Sequence, residues 1–238
     1  MCIRDRHGME MTNFNLDLIF AIPGQSLDLW EADLQEAIAA RPAHISTYCL
    51  TFEEDTALWL RLQKGQVTKI DADEEAGFFE SSWGILGEAG FEQYEVSNYA
   101  RPGKACRHNI DTWRMQEWLG YGPSASSQFG GRRWTEPHSI EEWLEGLQTG
   151  KPKFADEQVL DAKTMIEDSL IFGLRMNAGV ELDNLEQRFG KALPDSWKNF
   201  QDNLVQGGLA FMEGQTIRLS PAGRLLAVRI AEEILSLF

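Results

Sequence analysis

Cysteine is scarce in this 238-residue chain, and positive charge is outweighed by negative. Cys2, Cys49 and Cys106 form no close pair and no metal-ligand spacing, which excludes a disulfide framework and a zinc site built on paired thiols. An odd, scattered count suits a reducing compartment, so a cytoplasmic location is expected. Lysine and arginine number 22 against 37 aspartates and glutamates, a net charge of −15. A surface of that sign repels phosphate backbones, and nucleic acid is not an expected partner. Apolar runs approaching the roughly 20 residues that cross a bilayer are missing. Neither a transmembrane helix nor a secretory leader is therefore expected. There is also no phosphate-cradling glycine motif, nucleophile elbow, zincin helix or catalytic triad signature. What remains is an ordinary globular composition, 43% apolar and 25% charged, long enough for one or two domains with a real core. Several of the eight tryptophans are expected to line a cavity.

Residues 1–12 are read as a non-native or disordered lead, since Met1–Arg6 follows neither a helical nor a strand period. The run Phe14–Phe20, ending at Pro23-Gly24, reads as a parallel strand covered on both faces. A helix over Leu27–Ala40 with Ser26 as its cap, and a strand over His44–Leu50, complete a strand–helix–strand unit. Helices near Thr56–Lys64 and Asp73–Ala89 follow, then a strand over Phe91–Tyr99. A buried parallel strand needs partners on both sides. Its early arrival leads us to expect the C-terminal portion of a larger α/β cofactor-dependent protein.

Residues 100–135 have no clear period, and Gly120–Ser127 reads as a small-residue loop that lets the backbone approach a ligand. Ser139–Thr149 reads as a helix and Gly150–Pro152 as a linker. Over residues 155–238 the order becomes helix, helix, hairpin, helix, that of a winged-helix module. Its helix over Pro194–Gln206 carries Asp195 and Asp202 against Lys198. A DNA-reading helix would be basic, so this module reads as a structural or interaction element.

Two places carry candidate chemistry. Cys106-Arg107-His108-Asn109-Ile110-Asp111-Thr112-Trp113 gathers a thiol, an imidazole, an amide and an indole. Histidine nitrogen and cysteine sulfur are both axial ligands for iron porphyrins, and an indole stacks on flat rings. The alternative is a hydrogen-bonded surface histidine. Asp17 stands inside an apolar strand, where a buried carboxylate would need a partner. A protein donor and a ligand's hydroxyl or amine serve equally well.

These residues resemble one family. Asn15-Leu16-Asp17-Leu18-Ile19-Phe20 through Pro23-Gly24-Gln25, Pro42-x-His44-Ile45-Ser46-x-Tyr48, Tyr94–Ala100, Cys106–Trp113 and Leu119–Ala125 resemble, in order and spacing, the oxygen-independent coproporphyrinogen oxidase-like radical S-adenosylmethionine proteins. The heme-chaperone branch is the nearer match. The resemblance implies an α/β fold: the C-terminal part of a partial (β/α) barrel over 13–152, followed by a small winged-helix-like α+β domain over 155–238. It implies S-adenosylmethionine contacts at Asp17, Thr51 and Ser126, and heme contacts at His108, Asn109 and Trp113, with Cys106 beside them. S-adenosylmethionine, a 4Fe-4S cluster and heme are the implied cofactors of the full-length parent.

The implied activity is binding heme and delivering it to acceptor proteins, membrane-bound respiratory enzymes among them; a homodimer is left open. The alternatives are oxidative decarboxylation of coproporphyrinogen III and a non-catalytic protein-interaction fragment. The chain departs from the family pattern in five ways. Thr112 replaces a tyrosine, Ser126 a common histidine and Ala21 a glycine. The Cys-x-x-x-Cys-x-x-Cys loop that holds the cluster, and the Gly-Gly-Gly-Thr-Pro segment, do not occur here. The chain alone is not expected to catalyse.

Overall fold

A computed structural model describes residues 13–238. The expectation for residues 1–12, Cys2 included, lies outside them. Two compact units are present, the first closing at Cys106 and the second covering Arg107–Phe238.

The first unit is built on a four-stranded sheet in the order β1-β2-β4-β3, with β1 at Asn15–Phe20, β2 at His44–Cys49, β3 at Glu92–Gln93 and β4 at Asn98–Ala100. β1 and β2 are parallel, pairing Asn15 with His44 and Phe20 with Cys49. Helix α1 (Leu27–Ala39) joins them, and the Ser26 hydroxyl caps it by accepting from the Leu29 amide. Helix α2 (Ala57–Gln63) follows, and then α3 (Ala72–Glu88). α3 starts with a full capping box between Asp71 and Glu74. Phe20, Trp30, Leu34, Ile45, Phe78, Leu86 and Tyr99 form the core. Phe20 stacks on Phe78 at 5.7 Å and meets Phe79 edge-on at 4.9 Å. Within this apolar cluster the Trp30 indole donates to the Ser82 hydroxyl at 2.9 Å.

Two expectations change here. Among the described residues β1 ends the sheet, and it packs on the core through one face: Leu16, Leu18 and Phe20 face the core, while Asn15, Asp17 and Ile19 are exposed. The segment expected as one strand over Phe91–Tyr99 is instead two short antiparallel strands. The Tyr94 amide donates to the Asn98 carbonyl at 3.1 Å to close the turn. The buried Glu95 carboxylate holds it from inside by accepting from the Ser97 amide at 2.7 Å.

The second unit opens with helix α4 (Arg107–Trp113) and an antiparallel sheet of β5 (Ser126–Phe129), β6 (Arg132–Thr135) and β7 (Asp156–Val159). α5 (Ile140–Thr149) lies between β6 and β7 in sequence. The chain continues through α6 (Ala162–Gly173), β8 (Val180–Glu181), α7 (Leu182–Phe189) and α8 (Asp195–Gln206). The β9 (Ala210–Glu213) and β10 (Thr216–Leu219) hairpin, α9 (Pro221–Leu225) and α10 (Ala227–Leu235) complete it. β8 adds to the hairpin, giving a three-stranded wing in the order β8-β10-β9. Ile166, Leu170, Trp197, Ile217 and Ile234 centre its core. The helix expected over Pro221–Leu235 breaks at Leu226, where φ is −103° and ψ 14°. Close packing constrains the neighbourhood, since a Cβ on Gly223 would meet the Leu209 carbonyl oxygen at 1.9 Å. Among the described residues no helix is long and apolar enough to cross a membrane.

Ala21, just past β1, sits in the left-handed region at φ 62° and is buried. That conformation costs an L-residue roughly 1–2 kcal/mol and glycine nothing. Ala21→Gly is expected to stabilise the chain by about 1 kcal/mol in urea unfolding. A lower midpoint would mean that the buried methyl group matters more than the backbone strain.

Candidate functional site

The parallel register puts a row of polar side chains on the face of the sheet opposite the core. Asn15 pairs with His44 and Asp17 with Ser46 on β1 and β2, and Ser46 pairs with Asn98 on β4. Cross-strand partners share a face, so Asn15, Asp17, His44, Ser46 and Asn98 lie together. His44 Nδ1 is 2.7 Å from Asn15 Oδ1, and His44 Nε2 is 2.8 Å from the Tyr94 hydroxyl. Asn15 Nδ2 donates to Asp17 Oδ1 at 2.8 Å. His44 is buried, as is Ser46. Burial pushes the His44 pKa down from its ordinary value, and the Asp17 charge opposes that shift. Asn98 Oδ1 is buried on this face with no hydrogen-bond partner among the described residues.

Asp17 therefore differs from its expected setting. It is exposed, with Asn15 as its donor, so the cost of an unpaired buried carboxylate does not arise. Its carboxylate stands open to a ligand. Thr51 is exposed just past the C-terminal end of β2, the end of parallel strands where ligands commonly bind. Asn15, His44 and Tyr94 were not singled out as site residues from sequence. The signal was available in the period-2 spacing of Asn15-x-Asp17 and His44-x-Ser46, polar positions alternating with Leu16, Leu18 and Ile45.

In the second unit, α4 divides the other candidate motif between its faces. His108 and Thr112 are four apart and adjacent on the helix surface, as are Asn109 and Trp113. His108 and Trp113 are five apart, about 140° around the axis. His108 is exposed, and its imidazole has no hydrogen bond or ion pair among the described residues. The Thr112 hydroxyl donates to the His108 carbonyl at 2.8 Å. Trp113 turns inward, its ring 5.5 Å from Phe172 with the Arg175 guanidinium 5.1 Å from its centroid. It lines a cavity of about 220 Å³ together with Thr112, Met115, Trp118, Arg133 and Phe172. Its indole nitrogen is buried with no hydrogen-bond partner among the described residues. Cys106, in the first unit, is half-buried and free.

Ser126 is the first residue of β5 rather than a loop residue, and its hydroxyl is 3.0 Å from that of Thr135 across the ladder. At Gly120 the close backbone approach is to the chain itself. A Cβ on Gly120 would come within 2.3 Å of the Ser126 carbonyl oxygen, and the Gly120 amide donates to the Ser127 hydroxyl at 3.0 Å.

Residues 160–226 match the family model of the HemN C-terminal domain. The chain is 29% identical to the heme chaperone HemW of Lactococcus lactis over 94% of its own length and 58% of that relative. It is 32% identical to the HemW of Mycobacterium tuberculosis over 94% of itself and 55% of the relative. Against the mitochondrial radical S-adenosyl methionine domain-containing protein 1 of Danio rerio it is 31% identical, covering 93% of itself and 52% of the relative. The chain thus spans little more than half the length of these curated relatives. The structure of the radical SAM enzyme coproporphyrinogen III oxidase (HemN) from Escherichia coli matches with a TM-score of 0.76 at 16% identity, covering 98% of this chain and 57% of that one. The two share a fold.

The described residues do not fit an iron–sulfur cluster. They hold no group of three or more histidine, cysteine or acidic side chains able to take a metal ion. A cluster also needs thiolates. Burial, reinforced by the charge and hydrogen bond of Glu75, pushes the Cys49 thiol up to about 12. A pKa raised that far leaves the unreactive thiol form at neutral pH. Alkylation of Cys49 by iodoacetamide in the folded chain, followed by peptide mass spectrometry, is expected to keep rising through pH 10. A plateau by pH 10 would mark an ordinary exposed thiol, whose pKa is about 8.5.

Proposed function

The chain belongs to the HemW/HemN-like radical S-adenosylmethionine family, and on that premise we propose that it forms part of a heme-binding protein that passes heme to acceptor proteins. The observation that carries this reading is His108: an exposed imidazole on a short helix, with no hydrogen bond or ion pair among the described residues. A neutral imidazole is an axial ligand for heme iron. Ligating histidines in permanent sites are oriented by a partner on the second nitrogen, which raises affinity. His108 has no such partner among the described residues, which suits a cargo that is handed on. Relatives with 29–32% identity carry the name heme chaperone, and this supports the same assignment.

Asn109 and Trp113 act behind His108 in this reading. Trp113 anchors α4 against Phe172 rather than stacking on a free ring. The Asp17 carboxylate is the proposed contact for S-adenosylmethionine, and Thr51, past the end of β2 in the same unit, keeps the assignment that the family resemblance gives it. Ser126 and Cys106 keep the assignments that the family resemblance gives them.

Hemin added to the chain is expected to shift its Soret band, and His108→Ala to lose most of that shift. Identical spectra for the two proteins would remove His108 from the heme role. Asp17→Asn is expected to weaken binding of S-adenosylmethionine about tenfold, the worth of one charge-assisted hydrogen bond. Unchanged affinity in calorimetry would make Asp17 a surface residue of β1 and nothing more.

A further inference from the structure

We propose that Asn15, His44 and Tyr94 are positioning residues for Asp17, joined to it by a hydrogen-bonded chain with one fixed direction. The inference rests on the assignment of Asp17 as a ligand contact and adds what holds it in place. The direction follows from chemistry. A carboxylate only accepts, so the 2.8 Å contact at Asp17 Oδ1 must come from the Asn15 amide nitrogen. The Asn15 oxygen then faces His44 Nδ1 at 2.7 Å. An amide oxygen only accepts, so Nδ1 carries the proton. Burial pushes the His44 pKa down, which favours the neutral ring; in that ring Nε2 is the bare nitrogen and accepts from the Tyr94 hydroxyl at 2.8 Å. The chain reads Tyr94 to His44 to Asn15 to Asp17, each member donating to the next.

An exposed contact two residues apart along one strand, such as Asn15 to Asp17, would be loose by itself. The anchor is His44, 7% exposed and held at both ring nitrogens. Ser46, 2% exposed, adds a longer contact of 3.4 Å from Asn15 Nδ2. With Oδ1 engaged, the other carboxylate oxygen of Asp17 is presented in a fixed orientation. A ligand group that donates to it, a hydroxyl or an ammonium, meets an acceptor already in place.

Two substitutions at one position separate positioning from mere packing. An asparagine amide nitrogen mimics Nδ1–H, whereas a glutamine amide reaches the place of Nε2. His44→Asn therefore keeps the donor to Asn15, and His44→Gln loses it. The readout needs no ligand: three-bond couplings to Cγ report the χ1 rotamer of Asp17 in isotope-labelled chain. One dominant rotamer is expected in the parent chain and in His44→Asn, and averaging over rotamers in His44→Gln. Long-range proton–nitrogen spectra should show the Nδ1–H tautomer of His44. An Nε2–H tautomer, or the same Asp17 couplings in all three proteins, would overturn the proposal.

Calorimetry with S-adenosylhomocysteine tests the consequence. His44→Gln is expected to bind about fivefold more weakly, the scale of one lost hydrogen bond, and His44→Asn within about twofold of the parent chain. If Asp17→Asn leaves affinity unchanged, the ligand assignment of Asp17 fails while the rotamer result still judges the chain of donors. If Asp17→Asn weakens binding and His44→Gln does not, the positioning role fails alone.

Discussion

The parallel ladder between β1 and β2 governs the first unit, because its register decides which side chains face the core and which face away. With Asn15 opposite His44, Leu16, Leu18, Phe20 and Ile45 turn together towards Trp30, Phe78 and Leu86. The same pairing gathers Asn15, Asp17, His44 and Ser46 on the other face. A slip of one residue would send Phe20 outward and bury Asp17 among aromatic rings. Hydrophobic burial on one side therefore fixes polar geometry on the other. Phe20 is fully buried and touches three aromatic rings. Burying such a side chain is worth roughly 2–3 kcal/mol, well above one exposed hydrogen bond at Asp17. The core sets the register, and the polar row follows from it.

Much of the fold was legible because its punctuation is chemical. Ser26, Thr56, Asp71, Ser139 and Asp161 each cap the helix that follows by accepting a backbone N–H, and oxygen-bearing side chains before an apolar period announce this. The hairpin of β9 and β10 was marked by Gly214-Gln215 between short apolar runs. The β5–β6 hairpin was missed, although Gly130 and Gly131 stand between its strands at φ 60° and 74°, the glycine pair that tight hairpins require. Its strands, Ser-Ser-Gln-Phe and Arg-Arg-Trp-Thr, carry too little apolar alternation to stand out. What pairs them is the backbone ladder, and β7 extends it from a segment with no apolar period.

Site residues were harder to read for a different reason. A strand shows which residues alternate but not whether a neighbouring layer covers them. Asp17 looked buried because Leu16, Leu18 and Ile19 surround it in sequence, yet Ile19 is half exposed and Asp17 shares its open face. His44 has the opposite history. In sequence it is a polar residue opening a strand. In the fold it is enclosed and bonded at both nitrogens, because β2 lies inside the sheet between β1 and β4.

The helix α4 makes a comparable division within eight residues of sequence. Helical geometry cannot put His108 and Trp113 on one face, so a motif that reads as a cluster becomes two jobs. Trp113 takes the packing role, its ring set between Phe172 and the Arg175 guanidinium. That contact secures a helix of seven residues, too short to be stable through its own hydrogen bonds. His108 takes the open face, with Thr112 one turn away. A ligand at His108 thus meets a helix held from behind by Trp113, and any loss of the Trp113 packing would loosen the imidazole without touching it. The aromatic residue of the motif thus acts on the helix through packing, and the imidazole is left on the open face with Thr112 beside it.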